Sequence, residues 1–210
     1  MLKRSVVILM LIGLVAVAGV SLAAEPTVTL LETGSLDPGL DEGFSFWVID
    51  VSIEANETAV GPHEHSGSMF YAEGSPIVLG LENESLTLAP GEARWLGEGV
   101  PHRHGSDGTT AARFVAFTPA PPSRKGMVQA VPGFQNGRVV FESQTLTFAA
   151  PGTQEVMLER YEFQPNDDSG LQQLAAPTLF RVESGIFHIT LDWRIADDAG
   201  RRLLGAWRGD

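Results

Sequence analysis

Ile77-Val78-Leu79-Gly80-Leu81-Glu82-Asn83-Glu84-Ser85-Leu86-Thr87-Leu88-Ala89-Pro90-Gly91-Glu92-Ala93-Arg94-Trp95-Leu96 reads as three short strands, 77–81, 85–88 and 93–96. The breaks between them, Glu82-Asn83-Glu84 and Pro90-Gly91, are turn compositions. Upstream, Phe44-Ser45-Phe46-Trp47-Val48-Ile49-Asp50-Val51-Ser52-Ile53 is dense in aromatic and β-branched residues and predicts a longer strand. Downstream, Gly105-Ser106-Asp107-Gly108 is another turn, and Ala112-Arg113-Phe114-Val115-Ala116-Phe117 another strand. No segment after Thr27 carries a convincing amphipathic helical period. Many short, regularly punctuated strands predict an all-β sandwich or barrel.

Outward from this block the chain changes character. Met1-Leu2-Lys3-Arg4 is a short basic segment, Ser5 to Val20 is an uncharged apolar run, and Ser21-Leu22-Ala23-Ala24 supplies small residues before Glu25-Pro26. That order predicts a signal peptide over 1–24 and a secreted or periplasmic chain, with no membrane attachment after cleavage. An uncleaved anchor is the alternative, although the run is short for a span of about 20 residues. Residues 120–137 lie in a Pro- and Gly-rich stretch (Pro119, Pro121, Pro122, Pro132, Gly133) that reads as a linker or covering loop. A second β-like stretch follows from Val139 to about Trp193. Phe180-Arg181-Val182-Glu183-Ser184 can be set against Phe70-Tyr71-Ala72-Glu73-Gly74, each with a strand before and after it, which suggests an internal duplication. On that alignment Gln173 and Ala175 stand where His63 and His65 do, so the second unit, 138–210, is expected to be partial and metal-free. Arg194 to Asp210 reads poorly as β, as a truncated end or a short capping tail would, and open edge strands would favour pairing, including a homodimer through β edges.

Acidic residues outnumber basic ones 26 to 14, a formal charge of -12. Phosphate backbones and anionic membranes would be repelled, so no nucleic-acid partner is expected. The chain has no cysteine, which excludes disulfides, thiolate metal sites and cysteine nucleophiles.

Of 5 histidines, four fall in two pairs, His63-Glu64-His65 and His102-Arg103-His104. On a strand, residues i and i+2 share a face, so His63 and His65 can reach one point while Glu64 faces away. A third imidazole from another strand completes a facial set suited to a divalent transition metal: Fe, Mn, Ni, Cu or Zn. Gly61-Pro62 and Gly99-Val100-Pro101 precede the two pairs and hold the chain at a rim. His188 stands alone in an apolar strand and reads as structural.

Here the chain resembles a cupin domain. Gly61-Pro62-His63-Glu64-His65 through Tyr71-Ala72-Glu73-Gly74 is similar to the first cupin motif. Gly91-Glu92-Ala93-Arg94-Trp95-Leu96-Gly97-Glu98-Gly99-Val100-Pro101-His102 is similar to the second, with Gly97 in place of the usual Pro. The resemblance is good over 44–119 and faint over 139–193. It implies a cupin-type jelly-roll β-barrel, a cupin domain over 25–119, and metal ligands His63, His65 and His102, with His104 expected outside the shell. The carboxylate that follows the second cupin histidine is missing, because those positions are Met69 and Phe70. Glu73 belongs to the turn of the motif and is not expected as a ligand. Around the ion, Met69, Phe70, Trp95, Phe114 and Phe117 are candidate wall or core residues.

An all-neutral ligand set leaves the ion's charge uncompensated and favours a small anionic molecule at the open positions. Three-His cupins include thiol and diketone dioxygenases, so the resemblance implies oxygen chemistry as one outcome. No general base is placed. A non-catalytic module that binds a ligand or metal in the periplasm is the other reading, and a structural envelope protein with unused histidines a third; fold does not choose between them.

Overall fold

The structure is a computed structural model and is described for residues 4–11, 25–36, 43–57, 61–124, 126–131, 133–134, 136–146, 152–165, 167, 169, 178–187, 195–196 and 202–203. The three strands at the centre of the sequence occur with the expected bounds, as β5 (Ile77–Leu81), β6 (Ser85–Leu88) and β7 (Ala93–Leu96). Around them run β3 (Ser45–Ile53), β4 (Ser68–Ala72), β8 (His102–Gly105) and β9 (Ala112–Ala120). The flanks supply β1 (Arg4–Leu11), β2 (Thr27–Leu36), β10 (Gly137–Glu142), β11 (Gln154–Phe163) and β12 (Thr178–Val182). In the tail β13 (Ile195–Ala196) pairs antiparallel with β14 (Arg202–Leu203). Among the described residues no helix is long and apolar enough to cross a membrane.

Two antiparallel sheets make the barrel. One has the order β10-β3-β9-β4-β7 and the other β6-β5-β8. Their facing side chains follow the period of two: Trp47, Ile49, Val51 and Ile53 on β3, Phe70 and Ala72 on β4, and Phe114 and Ala116 on β9 meet Ile77, Leu79 and Leu88 in one core. At Pro90-Gly91 the chain reverses with Gly91 at φ +89, a left-handed conformation that an L side chain would strain. The fold is thus all-β, of the cupin jelly-roll type.

The five-stranded sheet is covered on its outer face too. Phe46, Val48, Met69, Tyr71, Val115 and Phe117 bury against Leu36 of β2 and Val156 and Leu158 of β11. This cover is a third sheet of order β12-β1-β11-β2. Arg181 of β12 clamps it to the barrel through Asp50 at 3.1 Å and Glu73 at 2.8 Å. Arg160 of β11 reaches the barrel by donating to the Tyr71 hydroxyl, and within the cover it pairs with Glu183 at 3.5 Å.

Several parts of the expected organisation fall in particular places. Residues 4–11, inside the segment read as a signal peptide, form a strand antiparallel to both β11 and β12. β1 lies between β11 and β12, as β9 lies between β3 and β4. β10 was expected with the second unit but joins the barrel at the free edge of β3. The stretch expected as a linker or covering loop contains two 3-10 turns, Pro122–Arg124 and Val128–Ala130, and it buries Val128, Val131 and Phe134 in the barrel core. Gln173, Ala175 and His188 lie outside the described residues.

Candidate metal centre

Both histidine pairs reach the same point. His102 and His104 stand on β8 with Arg103 between them, and their burial alternates: buried, exposed, buried. His63 forms an isolated antiparallel bridge with His102, closed by two backbone hydrogen bonds of 2.9 Å. That bridge docks the segment carrying His63 and His65 against β8. The four rings offer ligand atoms that all lie within 4.8 Å of one another. His104 was expected outside the shell; it sits inside the group, wholly buried. The period-two argument made for the first pair applies instead to the second, because β8 is a regular strand, whereas His63 and His65 lie outside the named strands and only His63 is bridged.

Hydrogen bonding sets the tautomers. Nδ1 of His63 faces the Gly61 carbonyl at 3.0 Å, Nδ1 of His65 the Ser66 carbonyl at 2.6 Å, and Nδ1 of His102 the Val100 carbonyl at 2.7 Å. A carbonyl oxygen can only accept, so each of these Nδ1 atoms carries the proton and donates it. Each Nε2 is therefore a lone-pair nitrogen, and all three are buried without a partner. This arrangement orients and strengthens imidazole ligands. His104 is held differently. Neither of its ring nitrogens makes a hydrogen bond of good geometry, and the Gly133 backbone beside it offsets the cost of burial only slightly.

Burial favours the neutral, metal-competent form throughout. Desolvation lowers the pKa of His63, brings His65 and His102 down to about 4, and depresses His104 far below its ordinary value. Mutual repulsion among the rings adds to the effect at His65, His102 and His104. Four neutral imidazoles, two buried and two half-buried, fit a transition metal ion, and imidazole is a ligand common to Fe, Ni, Cu and Zn.

The walls are apolar. Phe70 lies 4.9 Å and Phe114 5.1 Å, centroid to centroid, from His104, and Phe134 lies 5.0 Å from His65. Phe70 thus turns inward with an aromatic ring at one of the two positions where a cupin carboxylate would stand. Met69 and Phe117, expected as candidate wall residues, point to the outer face instead, one residue out of phase. Trp95 also packs on that outer side, so closely under Gly34 and Gly67 that a Cβ at either would come within 2.5 Å of its ring. Glu64 is exposed, as its alternation predicts, and Glu73 is engaged by Arg181. Among the described residues no carboxylate belongs to the histidine group.

The sequence alone gave no sign of Gly133. It packs onto the cluster at φ +88, and a Cβ there would fall 2.2 Å from His63 Nε2. With Phe134 it closes one side of the site. On the side of His65 a cleft of about 630 Å³ opens, lined also by Trp47, Thr118, Val131 and Arg124.

No family model matches the chain, and no curated protein matches it. Solved structures overlap it in part. A cupin-like protein from Thermotoga maritima is 16% identical, with 43% of this chain covered and a TM-score of 0.34; the chain spans 65% of that protein's length. The polyketide cyclase RemF from Streptomyces resistomycificus is 23% identical, covering 55% of this chain and 75% of its own at a TM-score of 0.34. A cupin domain from Bordetella pertussis is 19% identical, covering 48% of this chain and 98% of its own at a TM-score of 0.32. At such scores these are partial likenesses, and the reading of the site rests on its own strand order and histidine geometry.

Proposed function

We propose that this chain is an exported metal-binding protein of the cupin type, holding one divalent transition metal on His63, His65 and His102 with His104 as a fourth donor. The observation that carries this is the convergence of three Nε2 lone pairs, buried and unpartnered, on rings whose Nδ1 protons are fixed to backbone carbonyls. Leaving such nitrogens unsatisfied costs stability, and a cation is the partner their chemistry calls for. With neutral donors alone, the bound ion would supply Lewis acidity and a site for a small anionic ligand.

What the protein side chains add is binding and exclusion of water. Phe70, Phe114 and Phe134 pack against the cluster, and among the described residues no carboxylate belongs to it. That favours metal-centred oxygen chemistry over hydrolysis or isomerisation if the protein is an enzyme. The same absence favours a second reading, a non-catalytic binder of a metal or ligand in the periplasm. Oxygen uptake by the metal-loaded chain with small-molecule substrates divides the two.

The test of the shared premise is elemental analysis of residues 25–210, purified without chelator or histidine tag, beside a His63→Ala/His102→Ala variant. Near one metal per chain, lost in the variant, is the expected result. Failure to bind Fe, Mn, Ni, Cu or Zn after reloading would overturn the metal reading. Export is tested separately by the N-terminal residue of the protein recovered from the extracytoplasmic fraction, expected to be Glu25.

A further inference from the structure

The histidine cluster is shut on most sides. Gly133 presses on His63 and His104, Phe134 is wholly buried against His65 and His104, and Phe70 and Phe114 stand behind His104. The side left for a ligand is the cleft of about 630 Å³ bordered by His65. Its size suits a small molecule.

Two residues lining that cleft, Trp47 and Arg124, carry a polar group without a partner. Trp47 is buried to 1% exposure and its indole Nε1–H donates to nothing. A buried donor left unpaired is costly and rare, and an acceptor supplied by a ligand would relieve it. Arg124 lies on the same cleft, close enough to His65 for its charge to act there. In a chain so rich in carboxylates, Arg94, Arg138, Arg160 and Arg181 are all ion-paired. Among the described residues Arg103, Arg113 and Arg124 are not, and of these three Arg124 lines the cleft, beside exposed Glu64 and Glu98. A guanidinium is a fork for carboxylates.

We propose that this cleft is the ligand site, and that it takes a small carboxylate bearing a second hydrogen-bond acceptor, with Arg124 pairing the carboxylate and Trp47 Nε1–H donating to the second acceptor. This rests on the anionic-ligand part of the function proposed above and gives that ligand a class and two anchors. Occupied in this way, the cleft brings the ligand alongside His65. Glu64 and Glu98 at the rim argue for the opposite ligand, a small cation, and the experiment sets the two against each other.

The probes are succinate and putrescine, a dicarboxylate and a diamine of similar length, titrated into the full chain by calorimetry and by tryptophan fluorescence. Each titration is run on chelator-treated and on zinc-loaded protein. Succinate is expected to bind both forms, more tightly with zinc, and putrescine neither. Arg124→Gln, a surface change that spares the core, should weaken succinate at least tenfold, and Trp47→Phe should weaken it while keeping the ring. Succinate binding that Arg124→Gln leaves unchanged, no succinate binding to either form, or a preference for putrescine would each overturn the proposal. If zinc fails to bind while succinate binds in an Arg124-dependent way, the metal reading falls and the cleft stands.

Discussion

Gly133→Ala is the substitution whose effect the geometry constrains most tightly. The added methyl group would lie 2.2 Å from His63 Nε2, 2.8 Å from His63 Cε1 and 2.9 Å from His104 Cε1, all closer than real Cβ contacts come. The backbone cannot back away cheaply. Phe134 N–H donates to the Val131 carbonyl at 3.2 Å, Gly137 N–H donates to the Phe134 carbonyl at 2.8 Å, and the Phe134 ring is buried in the core. Two costs therefore add: roughly 1–2 kcal/mol for an L side chain in the left-handed region, and about 1–3 kcal/mol for overpacking. Gly126→Ala is the control, since Gly126 has φ +71 and nothing within 4 Å of its Cβ position. It carries the first cost without the second. The assay is urea unfolding of the chelator-treated chain, followed by zinc stoichiometry after reloading. Gly126→Ala should lose about 1–2 kcal/mol and keep its zinc. Gly133→Ala should lose about 2–5 kcal/mol and bind zinc poorly, because the methyl group displaces the His63 lone pair. Equal stability and equal zinc in the two variants would refute the placement of Gly133 on the cluster.

Three further outcomes follow from the same structure. Desolvation holds His65 and His102 near pKa 4 in the folded chain against 6.5 for the free side chain, so the unfolded chain binds more protons between those values. Stability of the metal-free protein should therefore be level in this respect above pH 6.5 and fall as pH drops towards 4, by about 3 kcal/mol from His65 alone. Urea midpoints across that range check it, and a flat response would contradict the buried neutral imidazoles. Arg181→Ala leaves Glu73 without its cation and Asp50 with only Arg138, at 3.2 Å. It should cost about 1–3 kcal/mol and expose the outer sheet to limited proteolysis before the barrel. Removing residues 1–24 takes β1 from between β11 and β12 and opens an edge on each. Faster amide exchange along 154–163 in the 25–210 chain, or its association into dimers through those edges, is the expected sign, read by hydrogen exchange and light scattering. Unchanged exchange together with a monomer would show that the edges are closed in another way.

Much of the fold was legible locally. The breaks at Glu82-Asn83-Glu84 and Pro90-Gly91 bound β5, β6 and β7, because turn chemistry acts through neighbouring residues. The grouping of His63, His65 and His102 was legible from motif spacing, although His63 and His65 reach the cluster from a bridged loop and not from a regular strand. His104 was readable by the strand period on His102-Arg103-His104, had β8 been taken as regular through both residues.

What the sequence by itself determined is therefore the set of short strands, their turns and the faces their side chains take, since these depend on local sterics and a period of two. Only the tertiary structure decided which faces are covered. β3, β4 and β9 bury residues on both sides because β2 and β11 pack behind them, and that cover turns Met69 and Phe117 into outer-core residues while Phe70 faces the histidines. It also decided that Gly133, Phe134 and Arg124, from a stretch with the composition of a linker, stand over or beside the histidine cluster. Contacts between residues far apart in the chain depend on how sheets stack and loops fold back, and no local pattern of residues encodes that distance.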